Sequence, residues 1–136
     1  MKVDVKTLSA LIIIIVMLAS SFLGAINIVQ QRIKTPPNIV EYEFDENIKK
    51  LLIQNYRTLI TFKYNLDCEE CLDTLYFLKD LVNRNTNQLF LQIISNERNY
   101  SIKIESMFGN KELNTPNTTE ILKAICDLVY IELTDC

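Results

Sequence analysis

Cys68-Glu69-Glu70-Cys71 places two thiols three residues apart. With the second cysteine one turn into a helix, such a pair can close a small disulfide ring, and the chemistry available to it is thiol–disulfide exchange, in which a thiolate attacks a disulfide sulfur through a mixed-disulfide intermediate. Two local effects oppose one another. A helix N-terminus favours the thiolate, whereas the carboxylates of Glu69 and Glu70 disfavour a second negative charge and raise the thiol pKa. The nearest base in sequence is Lys63. A poor thiolate is a poor leaving group, so the ring is comparatively stable and suits a reductant or a slow exchanger better than a strong oxidant. The bland alternative is an inert disulfide that fixes a strand-to-helix corner.

The other two cysteines, Cys126 and Cys136, read as a structural bridge. Cys136 is the final residue, and a bond to Cys126 pins residues 131–135 back on the last helix, contributing roughly 2–3 kcal/mol in the chain-entropy model. A zinc site from all four thiolates lacks the second tight knuckle of strong zinc patterns, because Cys126 and Cys136 are separated by nine residues; neither a metal nor a cofactor is expected. Histidine is absent, which excludes His-assisted serine and cysteine proteases and imidazole-ligated zinc hydrolases. The acidic pairs Glu41 with Glu43 and Glu69 with Glu70 read as solvated faces.

The elements that must hold the motif are legible as periodicities. Val40, Tyr42 and Phe44 alternate with acids, predicting a half-buried strand, after which Asp45 caps a helix carrying Ile48, Leu51, Leu52 and Tyr56. Ile60, Phe62, Tyr64 and Leu66 alternate with Thr61, Lys63, Asn65 and Asp67, the clearest strand of the chain, and it ends at Cys68. Cys71, Leu75, Leu78 and Val82, flanked by Leu72 and Leu81, form a helical stripe. Phe62, Tyr64, Tyr76 and Phe77 fall at strand or helix periods and read as core. Residues 89–94 suit an interior strand covered on both faces. Ile102 and Ile104 begin a hairpin turning at Phe108-Gly109-Asn110, and Asn117 caps a last helix with Ile121, Leu122, Ile125, Leu128 and Val129 as its stripe.

Residues 7–29 contain no charged side chain and thirteen Leu, Ile, Val and Phe. As a helix they would extend about 34 Å, and their insertion would gain about 4–8 kcal/mol before polar costs. The expected plan is an N-terminal tail 1–6, a transmembrane signal anchor 7–29, a stiff linker 30–38 with Pro36-Pro37, and a folded domain 39–136. A cleaved signal peptide is the rival reading, since Lys2 and Lys6 precede the apolar stretch and Ala19-Ser20-Ser21 follow it; Phe22, Leu23, Ile26, Ile28 and Val29 carry the run past that point and favour the anchor. Either reading exports the domain, and four cysteines confined to it suit an oxidising compartment. The expected location is therefore the cell membrane, single-pass, with the C-terminal domain outside the cytoplasm. Of the 14 Lys and Arg and 17 Asp and Glu, four basic and one acidic precede Thr35, leaving ten against sixteen, a net charge of −6. That surface repels phosphate backbones, and nucleic-acid binding is not expected.

The order strand, Cys-x-x-Cys at a helix start, strand, hairpin, terminal helix resembles the thioredoxin-like fold family over residues 40–130. The resemblance implies an α/β fold with a mixed sheet, preceded here by one N-terminal transmembrane helix. It further implies that Cys68 is the exposed attacking thiol and Cys71 the resolving one. The sequence departs from the family pattern in carrying Asp67 where an aromatic residue usually precedes the first cysteine, and in lacking a proline near Tyr100-Ser101. The connection from Ser95 to Tyr100 is too short for the usual helix, leaving Lys63, Asn65, Lys103 and Glu105 on an uncovered polar face, so the three layers lean toward two. The resemblance over residues 40–130, joined to the apolar segment before it, points to membrane-anchored thiol–disulfide exchange outside the cytoplasm, with exported thiol- or disulfide-bearing proteins as partners and the lipid bilayer engaged through residues 7–29. A non-catalytic interaction domain held by two structural disulfides is the alternative.

Overall fold

A computed structural model describes residues 13–17, 35–95, 97–114 and 117–136. Residues 13–17 are helical and their apolar side chains are exposed. The rest of the expected membrane segment 7–29 lies outside the described residues; among the described residues, no helix is long and apolar enough to cross a membrane.

The folded unit, Pro37–Cys136, is a five-stranded sheet of order β1-β3-β2-β4-β5. Its strands are β1 (Ile39–Val40), β2 (Thr58–Tyr64), β3 (Leu89–Ser95), β4 (Ser101–Ser106) and β5 (Gly109–Leu113), with helices α1 (Glu46–Gln54), α2 (Glu69–Arg84) and α3 (Thr118–Cys126). β1 and β2 run parallel to β3, while β4 and β5 are antiparallel additions. The first residues of β1, β2 and β3 therefore share one end of the sheet with the β4–β5 turn. The last residues of β2 and β3 share the other end with the start of β4.

Two apolar clusters follow from this arrangement. Alternation on β2 sends Ile60, Phe62 and Tyr64 to the face covered by α2 (Leu75, Leu78, Leu81, Val82) and α3 (Ile121, Ala124, Ile125). Leu59 faces the other way and meets Val40, Phe44, Leu52 of α1 and Phe90. The interior reading of β3 holds, with Leu89, Phe90, Leu91, Gln92 and Ile93 all buried. No helix joins β3 to β4 among the described residues; Lys103 and Glu105 form an ion pair of 2.8 Å on the face such a helix would cover.

Five expectations need correction. The first strand is only two residues long: the chain bends at Glu41 and Tyr42, and the Phe44 backbone N–H donates to the Gln92 side chain at 2.9 Å rather than to a strand. Thr61 is buried rather than polar-facing, since Gln92 Nε2 donates to its hydroxyl beneath α1. Leu66 lies past the end of β2 and is exposed, and Tyr76 is 69 % exposed because its helical position falls outside the stripe defined by Cys71, Leu75 and Leu78. Finally, α3 stops at Cys126, so Leu128 enters the core from the chain that follows the helix rather than from the helix itself.

The caps behave as their residue types dictate. Asp45 accepts from the Asn47 N–H and Asn117 from the Thr119 N–H, each satisfying a donor of a helix's first turn. The tail returns to the core through Leu133, which is buried, and through an ion pair from Asp135 to Arg84 at the end of α2.

Candidate active site

The chain leaves β2 at Tyr64 and is turned by Asn65. The Asn65 side chain accepts from the Asp67 N–H at 3.1 Å and its carbonyl accepts from the Cys68 N–H at 3.0 Å. This short turn delivers Cys68 as the residue that precedes α2, in an extended conformation and with no side-chain cap hydrogen bond to the helix. A cysteine here, where Ser, Thr or Asp would normally cap, gives the helix start no side-chain cap, while Glu69 and Glu70 lie in its first turn. That terminus lies beside the sulfur of Cys68, and a helix N-terminus favours negative charge where neighbouring carboxylates oppose it.

Cys68 and Cys71 form a disulfide with Cα atoms 5.3 Å apart. Their surroundings differ. Cys71 is fully buried in the main core, whereas Cys68 is partly exposed and packs against its edge. Asp67, Glu69 and Glu70 around the pair are all exposed, so their charges act through water. Cys126 and Cys136 are also joined, with Cα atoms 5.8 Å apart, and no free cysteine remains. The two disulfides occupy opposite ends of the sheet. Cys126 ends α3 beside Leu128, whose carbonyl accepts from the Thr58 hydroxyl at the start of β2; Cys68 follows the end of β2.

One pair of residues was missed by the sequence reading. Tyr100, immediately before β4, is hydrogen-bonded to Thr74, three residues after Cys71 in α2. Thr74 is buried and its hydroxyl also approaches the Glu70 carbonyl at 3.4 Å. The Tyr100 ring meets Phe62 edge-on at 5.5 Å, and Phe62 stacks on Tyr64 at 5.0 Å. Burial pushes the Tyr100 phenol above its ordinary pKa, against the hydrogen bond with Thr74, so the group is neutral at physiological pH. An aromatic residue directly ahead of the Ile102/Ile104 alternation was the available signal. It stands where the family pattern has a proline.

Beside the motif, a cavity of about 250 Å³ opens at the same end of the sheet, lined by Tyr64, Leu66, Leu75 and Ile93 with Glu41 and Lys79 at its polar side. Phe77, the other aromatic read as core, is only partly buried against the main cluster.

No family model matches the sequence, and no curated protein sequence matches it. Solved structures do. A chain solved in a study of the thiol resolving mechanism in yeast mitochondrial 1-Cys peroxiredoxin via glutathione/thioredoxin systems superposes with a TM-score of 0.52 at 15 % identity, covering 68 % of this chain and all, 100 %, of that one. Lower scores are found for Deadhead (thioredoxin-1) of Drosophila melanogaster, 0.49 at 11 % identity over 61 % of this chain and 93 % of that one, and for Fasciola hepatica thioredoxin, 0.47 at 12 % identity over 58 % and 88 %. The strand order, the parallel β1-β3-β2 core with its antiparallel extension, and that superposition establish that the protein has a thioredoxin-like fold.

Proposed function

We propose that the protein is a membrane-anchored thiol–disulfide exchange protein that works outside the cytoplasm on exported proteins, with Cys68 as the attacking sulfur and Cys71 as the resolving one. The observation that carries this reading is the asymmetry of the pair: a partly exposed Cys68 at an uncapped helix start, bonded to a Cys71 sealed in the core. In the reducing direction, the Cys68 thiolate attacks a partner disulfide, forming a mixed disulfide and expelling one partner thiolate. The Cys71 thiolate then attacks the Cys68 sulfur, breaking the mixed bond and releasing the second partner thiolate. Two electrons pass from the protein's dithiol to the partner's disulfide, and the oxidised protein is the state seen here. Glu69 and Glu70 oppose the helix terminus in stabilising the thiolate, which favours this direction over strong oxidation.

What supports the anchor is the uncharged sequence 7–29, whose described part, residues 13–17, is helical and exposes Ile13, Ile14, Ile15, Val16 and Met17. What supports an oxidising compartment is that all four cysteines are engaged in disulfides. Equilibrating the purified full chain in detergent with glutathione redox buffers and counting trapped thiols tests the reading. Cys68–Cys71 should titrate at a measurable potential while Cys126–Cys136 stays oxidised. A Cys68–Cys71 bond that resists reduction until the protein unfolds overturns the exchange reading and leaves a non-catalytic interaction domain.

A further inference from the structure

The end of the sheet opposite the disulfide carries an apolar surface that the exchange chemistry does not use. Tyr56, Met107, Phe108, Tyr130 and Ile131 are each between 46 and 58 % exposed. They come from three separate places: the α1–β2 connection, the β4–β5 turn and the chain after α3. Their rings are nonetheless ordered together, Tyr130 meeting Tyr56 at 4.7 Å and stacking on Phe108 at 6.1 Å. Tyr56 sits at φ 58°, the left-handed region that glycine normally fills at a helix C-terminus. The surrounding bonds, Tyr56 N–H to Ile53 O and Arg57 N–H to Leu52 O, are those of a Schellman turn. The tyrosine thus sits in a strained backbone conformation while its ring is about half exposed.

The folded unit's own first residues lie at this same end. Asn38 donates to the carbonyls of Thr86 and Leu89 at the start of β3, and Gln88, next to them, accepts from the Ile131 N–H. Nine residues, 30–38, separate the apolar sequence 7–29 from this point. Fully extended they reach at most about 30 Å, so in an anchored protein the aromatic end can rest on the bilayer while Cys68 and Cys71 face away from it. Tyrosine rings with apolar bodies and polar tips are the side chains that settle at headgroup depth. The net charge of −6 beyond residue 34 makes anionic lipid an unfavourable contact, leaving the neutral headgroup region of a zwitterionic bilayer.

We infer that Tyr56, Phe108 and Tyr130, with Met107 and Ile131, form a lipid-docking face that seats the domain on the bilayer surface with its Cys68–Cys71 disulfide pointing away. This rests on the anchored reading of residues 7–29. The protein contains no tryptophan, so a single introduced one is a clean reporter. Full-length Phe108→Trp and, at the opposite end, Leu66→Trp are reconstituted in phosphatidylcholine nanodiscs with and without brominated acyl chains. Phe108→Trp should emit at shorter wavelength than Leu66→Trp and lose most of its emission to brominated lipid, whereas Leu66→Trp should be unaffected. Equal, unquenched emission from both sites in chains that float with liposomes overturns the docking face and spares the anchor. Chains that do not float overturn both. Protection of the Phe108→Trp reporter only in discs holding two copies, without bromine quenching, assigns the face to self-association and overturns the lipid assignment.

Discussion

Tyr100 shares a hydrogen bond with Thr74 and sets its ring edge-on to Phe62, centroids 5.5 Å apart, so the residue before β4 is tied to the same helix that carries Cys71. Replacing Tyr100 with Phe keeps the ring and removes the bond, and should lower stability by about 0.5–1.5 kcal/mol in urea melts. The pH dependence has a defined sign. Because burial raises the folded-state phenol pKa, the unfolded chain ionises first as pH climbs past about 10. The stabilisation is complete below that value and is lost as pH rises through the folded pKa. Stability measured from neutral to alkaline pH should fall less steeply in Tyr100→Phe than in the native chain; parallel curves would show that another group governs the alkaline limb.

The burial difference within the disulfide predicts an unequal pair of single variants. Cys71→Ser leaves the partly exposed Cys68 without a resolving thiol and should accumulate mixed disulfides with partner proteins, seen as reductant-sensitive adducts on gels. Cys68→Ser leaves a thiol sealed in the core, which should resist alkylation until denaturant is added. If Cys71 in that variant reacts as fast as Cys68 in its counterpart, the attacking and resolving roles proposed for them are wrong.

The remote disulfide should behave as a tether alone. Removing both sulfurs with Cys126→Ser and Cys136→Ser should lower stability by roughly 2–3 kcal/mol and free the tail that Leu133 and the Asp135–Arg84 pair otherwise hold. The exchange equilibrium of Cys68–Cys71 with glutathione should be unchanged, because the two bonds lie at opposite ends of the sheet. A shifted equilibrium would reveal coupling along α2 or α3.

Beneath α1, Gln92 takes over the role of a strand partner, accepting from the Phe44 N–H at 2.9 Å and donating to the Thr61 hydroxyl. Gln92→Leu strands both groups in a site closed by Leu52, Leu59 and Phe90, and a cost of about 1–3 kcal/mol is expected from the unsatisfied donors and acceptors. Adding Thr61→Val should recover part of it, since an apolar pair needs no partner. Strictly additive losses in the two variants would mean the bond contributes nothing.

How much of this was written in the sequence depends on whether a residue's role is set by its neighbours in the chain or by distant ones. The alternation of Ile60, Phe62 and Tyr64, the stripe from Cys71 to Val82 and the caps at Asp45 and Asn117 are local patterns, and each of those elements is present. The motif's place at the junction of β2 and α2 followed from the same patterns. Phe44 misled because alternation signals burial, and its burial is met by a side chain from β3 rather than by strand pairing. Tyr76 misled because an aromatic residue near a stripe is not on it. The link from Tyr100 to Thr74 crosses 26 positions, and the aromatic cluster joins three segments; periodicity carries no information about such meetings.

Tyr56 offers the sharpest separation between a structural and a docking use of that cluster. Left-handed backbone costs a residue with a Cβ on the order of 1–2 kcal/mol, while glycine's greater freedom when unfolded returns about 0.5–1 kcal/mol of that advantage. The exposed contact with Tyr130 is worth at most a fraction of the roughly 0.5–1.5 kcal/mol of a buried ring pair. Tyr56→Gly should therefore leave the fold equally stable or up to about 1 kcal/mol more stable in urea, yet weaken seating on the bilayer, so that bromolipid quenching of a tryptophan at position 108 falls. A residue that sits against its own backbone preference, and whose loss harms only attachment, is spending strain on a surface contact. A clear loss of stability in Tyr56→Gly would instead make the Tyr56–Tyr130 contact part of the fold's own packing, and the left-handed tyrosine would need no partner outside the protein to account for it.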